Sequence, residues 1–349
     1  VRRLMYVCFF LLLLMMLAAC GEKSQDEVMQ DLDQKLQDMN GYKTSASMTL
    51  ETGDEPRTYD VGVSYMQNEQ NKYYKVDLKN ENEEQNQMII RNDDGVFVLT
   101  PSLNKSFRFQ SDWPNNNSQV YLYESLISDI LMDAERTFSI HEDTYVFETK
   151  TNYQNKNLHH QEIVLDTKTL APRSVKIYDA DYKELVSVEF SDFEENAEFE
   201  QSDFDTERNM TAANMEVSAS AGNEKNNEEQ QSRKDSFEVV YPTFEPQGAV
   251  LEDTNETNTA AGRKVVLTYG GDKPFTIVET PAAAEAVTAD INMGKGGPVN
   301  LHTAIGARTE NSLTWSSGGV EFLLASKHLN AEEMAAVARS MTEPAQAVK

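Results

Sequence analysis

Cysteine is almost missing from this chain: Cys8 and Cys20 are the only two, and both precede residue 21. The remainder therefore has no disulfide to staple it, no thiol nucleophile and no thiolate metal site, and must be stabilised by its own core. Histidine is also scarce, with 5 in 349 residues, and only His159 and His160 are neighbours. In an alternating strand those two face opposite ways, with Gln161 beside one and Glu162 beside the other. The zinc pattern His-Glu-x-x-His is absent, and so is the Gly-x-Ser-x-Gly elbow of a serine hydrolase. Positive charge is short as well: 31 Lys and Arg face 58 Asp and Glu, for a net charge of −27. Such a body is repelled by nucleic-acid phosphates and by anionic lipid headgroups.

One apolar run stands out. Leu4 to Ala19 follows Arg2 and Arg3 and ends in Leu17-Ala18-Ala19-Cys20, with an abrupt polar turn at Gly21-Glu22-Lys23. It is short for a membrane span, which takes roughly 20 apolar residues. Basic flank, apolar run and small residues are the anatomy of a secretory signal peptide. The closing Leu-Ala-Ala-Cys resembles the bacterial lipobox. The resemblance implies cleavage before Cys20, a diacylglycerol thioether on its sulfur, and further acylation, for example by palmitate. The alternatives are an ordinary signal peptide or an uncleaved anchor. Multiple acyl chains make such anchoring stable, which places the body on the extracytoplasmic face of the cell membrane.

Composition divides the rest. Residues 211 to 235 hold no aromatic residue and almost no aliphatic one, so they cannot bury enough surface to offset their ordering entropy. The expected organisation is a signal peptide at 1–19, a larger domain at 20–209, a flexible linker at 210–236 and a smaller domain at 237–349. In the first domain Ser24 and Glu27 fit a capping box, and Val28, Leu32, Leu36 and Met39 recur at helical spacing. Period-two segments follow around 42–50, 59–66, 72–78, 87–91 and 96–100, with Asn92-Asp93-Asp94-Gly95 as a hairpin turn. After Trp113-Pro114 comes a helix with Tyr123, Leu126, Ile127, Ile130 and Leu131 on one face. Strands resume at 145–149, 159–165, 173–178 and 185–193.

In the second domain strands are expected at 263–269, 275–279, 300–307, 313–316 and 320–325. A last helix is capped by Asn330 and Glu333. The fold class is α+β twice: a large curved antiparallel sheet packed on helices, then a smaller α+β domain.

Ile163-Val164-Leu165-Asp166-Thr167-Lys168-Thr169-Leu170-Ala171-Pro172, in this order of elements, resembles the LolA-like carriers of outer-membrane lipoproteins and their LolB- and RseB-like relatives. Most nearly it resembles the membrane-anchored sporulation lipoproteins of Gram-positive spore formers. Asp166, Thr169 and Pro172 fill the family's strand-crossing segment, where Asp166 is placed to accept turn N–H groups. The resemblance covers about residues 24 to 200. It implies a half-open β-barrel with helices plugging one face around an apolar cavity. A chain tethered at Cys20 cannot shuttle as a soluble carrier does.

No catalytic residue, metal ligand or cofactor is nominated. Gly294-Lys295-Gly296-Gly297 lacks the flanks of a phosphate loop, and Gly297-Pro298 suggests a turn. The pairs Glu83-Glu84, Asp93-Asp94 and Glu194-Glu195 read as solvated faces or protected edges. Aromatic residues crowd the first domain, as a packed core or a lined cavity would require. The leading expectation is a lipoprotein lipidated at Cys20 that binds an apolar ligand, a lipoprotein or an envelope partner. The ligand would lie between sheet and helix, at Tyr123, Ile127 and Leu131. The alternative is an envelope scaffold or regulator with no small ligand, which a closed, fully packed sheet would favour.

Overall fold

With one exception, the period-two stretches become strands, bounded by the turns expected of them. The computed structural model describes residues 23–342 apart from 52–55, 81–85, 115–118, 154–156, 221–236, 260–261, 284–288 and 302–303. The expected signal peptide, Cys20, Glu83-Glu84 and residues 221–236 of the expected linker lie outside the described residues. Contacts divide the chain into two compact units, Val1–Asp38 and Met39–Lys349.

The first unit contributes α1 (Gln25–Asp38), on which Val28 and Leu32 are buried. Its capping box forms as the spacing requires. Glu27 Oε2 accepts the Ser24 N–H at 2.8 Å, and Ser24 Oγ accepts the Glu27 N–H at 3.4 Å.

The second unit opens with β1 (Gly41–Leu50), β2 (Arg57–Gln67), β3 (Lys72–Asn80), β4 (Gln87–Asn92), β5 (Gly95–Thr100) and β6 (Lys105–Gln110). Helix α2 (Tyr123–Met132) follows, then β7 (Thr137–His141), β8 (Thr144–Lys150), β9 (His160–Asp166), β10 (Pro172–Tyr178) and β11 (Glu184–Glu195). Apart from β6 and β7, each strand pairs antiparallel with the next in sequence, and β11 returns to pair with β1. The spatial order is therefore β7-β8-β9-β10-β11-β1-β2-β3-β4-β5-β6, which puts β1 at its centre.

Side-chain alternation gives this sheet one continuous apolar face. Phe138, Phe147, Ile163, Val175, Val188, Met48 and Tyr59 stand directly opposite one another across seven strands. On the opposite face Tyr73, Met88, Ile90, Phe97 and Leu99 form a second buried cluster with Phe204 and Met210. Those last two come from a short 3-10 turn, Gln201–Phe204, and from α3 (Thr206–Ser220). Here the structure differs from the expectation that 210–236 is linker, because residues 210–220 are helical. Asp205 caps that helix through Oδ1, 2.7 Å from the Arg208 N–H, and Met210 is 2 % exposed in the cluster. With helix-favouring alanines and Met215, the segment needs little more burial to hold.

The C-terminal elements are β12 (Ala249–Thr259), β13 (Gly262–Gly271), β14 (Phe275–Pro281), β15 (Ala289–Asn300), β16 (Ile305–Thr309), β17 (Ser312–Ser317), β18 (Val320–Ala325) and α4 (Ala331–Thr342). Asn330 caps α4 as its sequence implies, through Oδ1 to the Glu333 N–H at 2.9 Å. The pairings run β15-β16-β17-β18-β14-β13-β12, with Leu267, Ile277, Phe322 and Leu324 packed with Met334 and Val337 of α4.

Two expectations are corrected here. The strand expected at 300–307 is two strands, because Leu301 N–H bonds back to Ala304 O at 2.9 Å and turns the chain. Gly297-Pro298 is not a turn but lies within β15, paired with Arg308 and Ala307, and the register shifts earlier in the strand, between Asn292 and Gly294. Glycine, normally unfavourable in a strand, is required at 296, where a Cβ would lie 2.0 Å from Arg308 O.

Strand β15 belongs to both sheets. Its first half pairs parallel with β6 and its second half antiparallel with β16, so the eighteen strands form one open sheet. Two further contacts hold the junction. The Gln87 side-chain oxygen accepts the Ile305 N–H, and its Nε2 donates to Ile305 O at 3.1 Å. Lys105 Nζ meets Glu321 Oε2 at 2.5 Å, with the lysine side chain only 10 % exposed.

Gln87→Leu should leave the Ile305 amide and carbonyl unpaired at a buried place, costing about 1–3 kcal/mol. Amide exchange should then accelerate first across 289–309. Unchanged exchange there would show that Gln87 holds nothing.

Candidate functional site

The most unusual chemistry in the chain is a carboxylate buried among tyrosines. Registry puts Tyr42, Tyr65 and Tyr74 side by side on β1, β2 and β3, with ring centroids 5.3 Å and 5.0 Å apart. Phe193 stacks on Tyr42 at 5.4 Å, Trp113 meets Tyr74 edge-on at 5.7 Å, and Tyr123 closes the group from α2. Glu124 enters this aromatic floor from the first turn of α2. Its Oε2 accepts the Tyr42 hydroxyl at 2.8 Å, while its Oε1 is buried and lacks a hydrogen-bond partner.

Tyr42 has two tasks. The residue preceding α2, Leu122, offers no side-chain cap, and the Tyr42 hydroxyl instead accepts the Tyr123 N–H at 3.2 Å. The helix is thus capped from the central strand of the sheet. At its other side Tyr123 donates its hydroxyl to Leu170 O at 3.0 Å. Burial raises the pKa of Glu124, and the neighbouring Tyr74 and Tyr42 hydroxyls and the field of Lys72 oppose that rise. Tyr42 is raised in turn, first by burial and then by the Glu124 charge.

A second polar pair lies one and a half turns along α2. Gln161 Nε2 donates to Asp129 Oδ2 at 2.8 Å, and Tyr153 donates to Gln161 Oε1 at 2.8 Å. All three are buried. Sequence reasoning passed over Glu124, Asp129 and Gln161 because it read α2 by its apolar face. The available signal was that Glu124 and Asp129 sit five residues apart, flanking Leu126 and Ile127.

Of the residues expected to line an apolar cavity, Tyr123 is 1 % exposed and Ile127 0 %, while Leu131 is half-buried. The structure brings Tyr123 and Ile127 into the packed interior between α2 and the sheet. A cleft of about 490 Å³ does open nearby, but its walls are polar, with Lys72, Arg91, Asp93 and Asp112 among them. Asp166 behaves as its turn predicts: its Oδ1 accepts the Lys168 and Thr169 N–H groups at 2.9 and 2.8 Å. The Arg173 guanidinium and those amides hold its carboxyl well below the usual range. Among the described residues no group of His, Cys, Asp and Glu is placed to hold a metal, and no helix is long and apolar enough to cross a membrane.

A family model described as sporulation protein YdcC-like matches residues 2–204. Sporulation protein YdcC of Bacillus subtilis (strain 168) is 46 % identical over 332 residues, 95 % of this chain and 94 % of the relative. The chain belongs to the YdcC-like sporulation protein family. The family model ends within the 3-10 turn before α3, whereas the similarity to the Bacillus protein runs on through the β15 junction. Solved structures similar to this chain include MucB in complex with MucA from Pseudomonas aeruginosa (12 % identity, TM-score 0.31, 89 % of this chain and 96 % of that one). A LolA superfamily protein from Nitrosomonas europaea is another (10 % identity, TM-score 0.30, 52 % of this chain and 98 % of that one).

Glu279 on β14 is a further buried carboxylate, 0 % exposed. Its Oε2 accepts the Val240 N–H at 3.2 Å, and burial pushes its pKa up to about 7 against the pull of Arg263. An unfolded glutamate ionises near ~4.3. The protonated side chain therefore favours the folded state fully below that pH, and the benefit is lost as pH rises through about 7.

Two outcomes follow for these sites. Tyr42→Phe removes the helix cap and one carboxylate hydrogen bond, and should lower stability by about 1–3 kcal/mol in urea unfolding. An unaltered midpoint would mean α2 is not secured there. Glu279→Gln keeps an acceptor for Val240 and should remove a decline in stability, on the order of 3 kcal/mol, between about pH 4.5 and 7.5. Parallel pH profiles for the two proteins would refute the assignment.

Proposed function

We propose that this chain is a lipid-anchored extracytoplasmic protein that serves sporulation by binding another protein of the cell envelope, without a small ligand or cofactor. The packed interior carries this reading. Tyr42, Tyr74, Tyr123, Leu126, Ile127 and Ile130 are each no more than 1 % exposed, so the place an acyl chain would take is filled by side chains. An apolar ligand at Tyr123, Ile127 and Leu131 would require α2 to leave its Tyr42 and Leu170 contacts. Lipidation at Cys20 is supported by the Leu-Ala-Ala-Cys sequence, and the acidic body favours a stance clear of anionic headgroups. The larger sheet and the smaller C-terminal module are read as two halves of one binding platform joined through β15, with 221–236 as the connecting segment.

Cys20→Ser should release the protein from the membrane fraction of cells that otherwise retain it; full retention would remove the anchor from the proposal. Native mass spectrometry of the full chain, gently extracted from membranes, tests the rest. The expected mass is that of the lipidated chain alone or with a protein. A lipid that leaves only on unfolding would replace this reading with the apolar-ligand one.

A further inference from the structure

β12 is an edge strand whose side chains are solvent-exposed on both faces. It pairs with β13, and no described strand pairs with its other edge. All ten residues from Val250 to Thr259 are exposed, although the facing residues Val265, Leu267 and Tyr269 on β13 are buried. The core beneath β13 therefore ends before β12, which overhangs it. From Asp253 to Thr259 the register with β13 is unbroken, so alternate N–H and C=O groups point outward along a regular strip.

Edges of this length are usually blunted by lysine, proline or shortness. This strand has neither lysine nor proline in 11 residues. Its charged residues are Glu252, Asp253 and Glu256, all acidic. Glu256 is already matched from the inside by Arg263 at 2.6 Å. No ion pair among the described residues engages Glu252 or Asp253. Large apolar side chains are exposed in this strand and in the segment before it. Tyr241, Phe244, Val250 and Leu251 are 45, 44, 61 and 37 % exposed, and they account for half of the large apolar side chains exposed in the described structure.

The charge pattern discriminates among occupants. A second copy pairing antiparallel about Thr254 would set Glu252 against Glu256 twice, and every other register also sets acids against a strand without a base. Like charges directly opposite are destabilising. An anionic lipid surface is repelled for the same reason.

We infer that the outer edge of β12 is a docking strip for an extended segment of a partner protein, basic in charge and alternately apolar, which adds to the sheet as a further strand. Main-chain hydrogen bonds supply the hold, Glu252 and Asp253 select positive charge, and the exposed Val250 and Leu251 receive apolar side chains at the start of the strand. The inference takes from the proposed function only that the partner is a protein.

The test uses the full chain and a labelled nine-residue peptide of alternating lysine and valine. Saturable binding that weakens with salt is expected, together with slowed amide exchange across 250–259. Glu252→Lys with Asp253→Lys should weaken it by at least about tenfold. Glu194→Lys with Glu198→Lys, the same charge change on the other module, should alter it by less than about twofold. A peptide alternating lysine and proline has the charge without the N–H groups at every second residue and should not bind. Equal binding of the proline peptide, equal loss in both variants, or protection elsewhere would overturn the inference in favour of bulk attraction to an acidic protein. Absence of binding would overturn it as well. None of these outcomes bears on membrane release by Cys20→Ser or on the native mass.

Discussion

A carboxyl group withdrawn from water has to be answered by its surroundings, and the larger sheet is organised around one such group. Glu124 enters an aromatic floor that only the registry of three central strands can assemble. Tyr42, on the strand that lies between β11 and β2, answers the carboxylate and caps α2 with one hydroxyl. Shift β1 by one residue and Tyr42 turns to the other face, leaving the helix without its cap and the carboxylate without its donor. The polar contact adds little net attraction, because desolvation offsets most of it. What it contributes is position: it fixes where α2 begins relative to the sheet.

Much of this architecture can be read from residue order. Ser24 with Glu27 and Asn330 with Glu333 announce two helix starts, and both close as reciprocal boxes. Alternation marks the strands whose one face is buried, since burial is what imposes period two. β12 escapes detection for the complementary reason. Ala-Val-Leu-Glu-Asp-Thr-Asn-Glu-Thr-Asn-Thr has no buried face, so nothing in it alternates, and only the β13 ladder makes it a strand. β15 escapes because its glycines answer to the closeness of neighbouring main chain, a constraint visible only once β6 and β16 stand beside it. The helix at 206–220 is concealed by poor amphipathicity, as Met210 is the one deeply buried apolar residue among its described side chains.

The site was legible only in part. Tyr123 and Ile127 were found through helical spacing and are at the interface, but as filling and not as lining. Glu124 was invisible to that spacing because a glutamate in a first helical turn is ordinarily a solvated partner of the helix dipole. Its burial depends on tyrosines 50 to 82 residues earlier in the chain, and no local pattern records that.

The junction through β15 has a consequence for how such a protein changes over generations. The parallel ladder with β6 uses main-chain atoms, and Gln87 grips the amide and carbonyl of Ile305 without reference to its side chain. Of the contacts described there, the Lys105–Glu321 pair alone asks for a particular side chain from the C-terminal half. Such a seam tolerates drift: the smaller module's surface can be rewritten, strand by strand, while its attachment stays where it is.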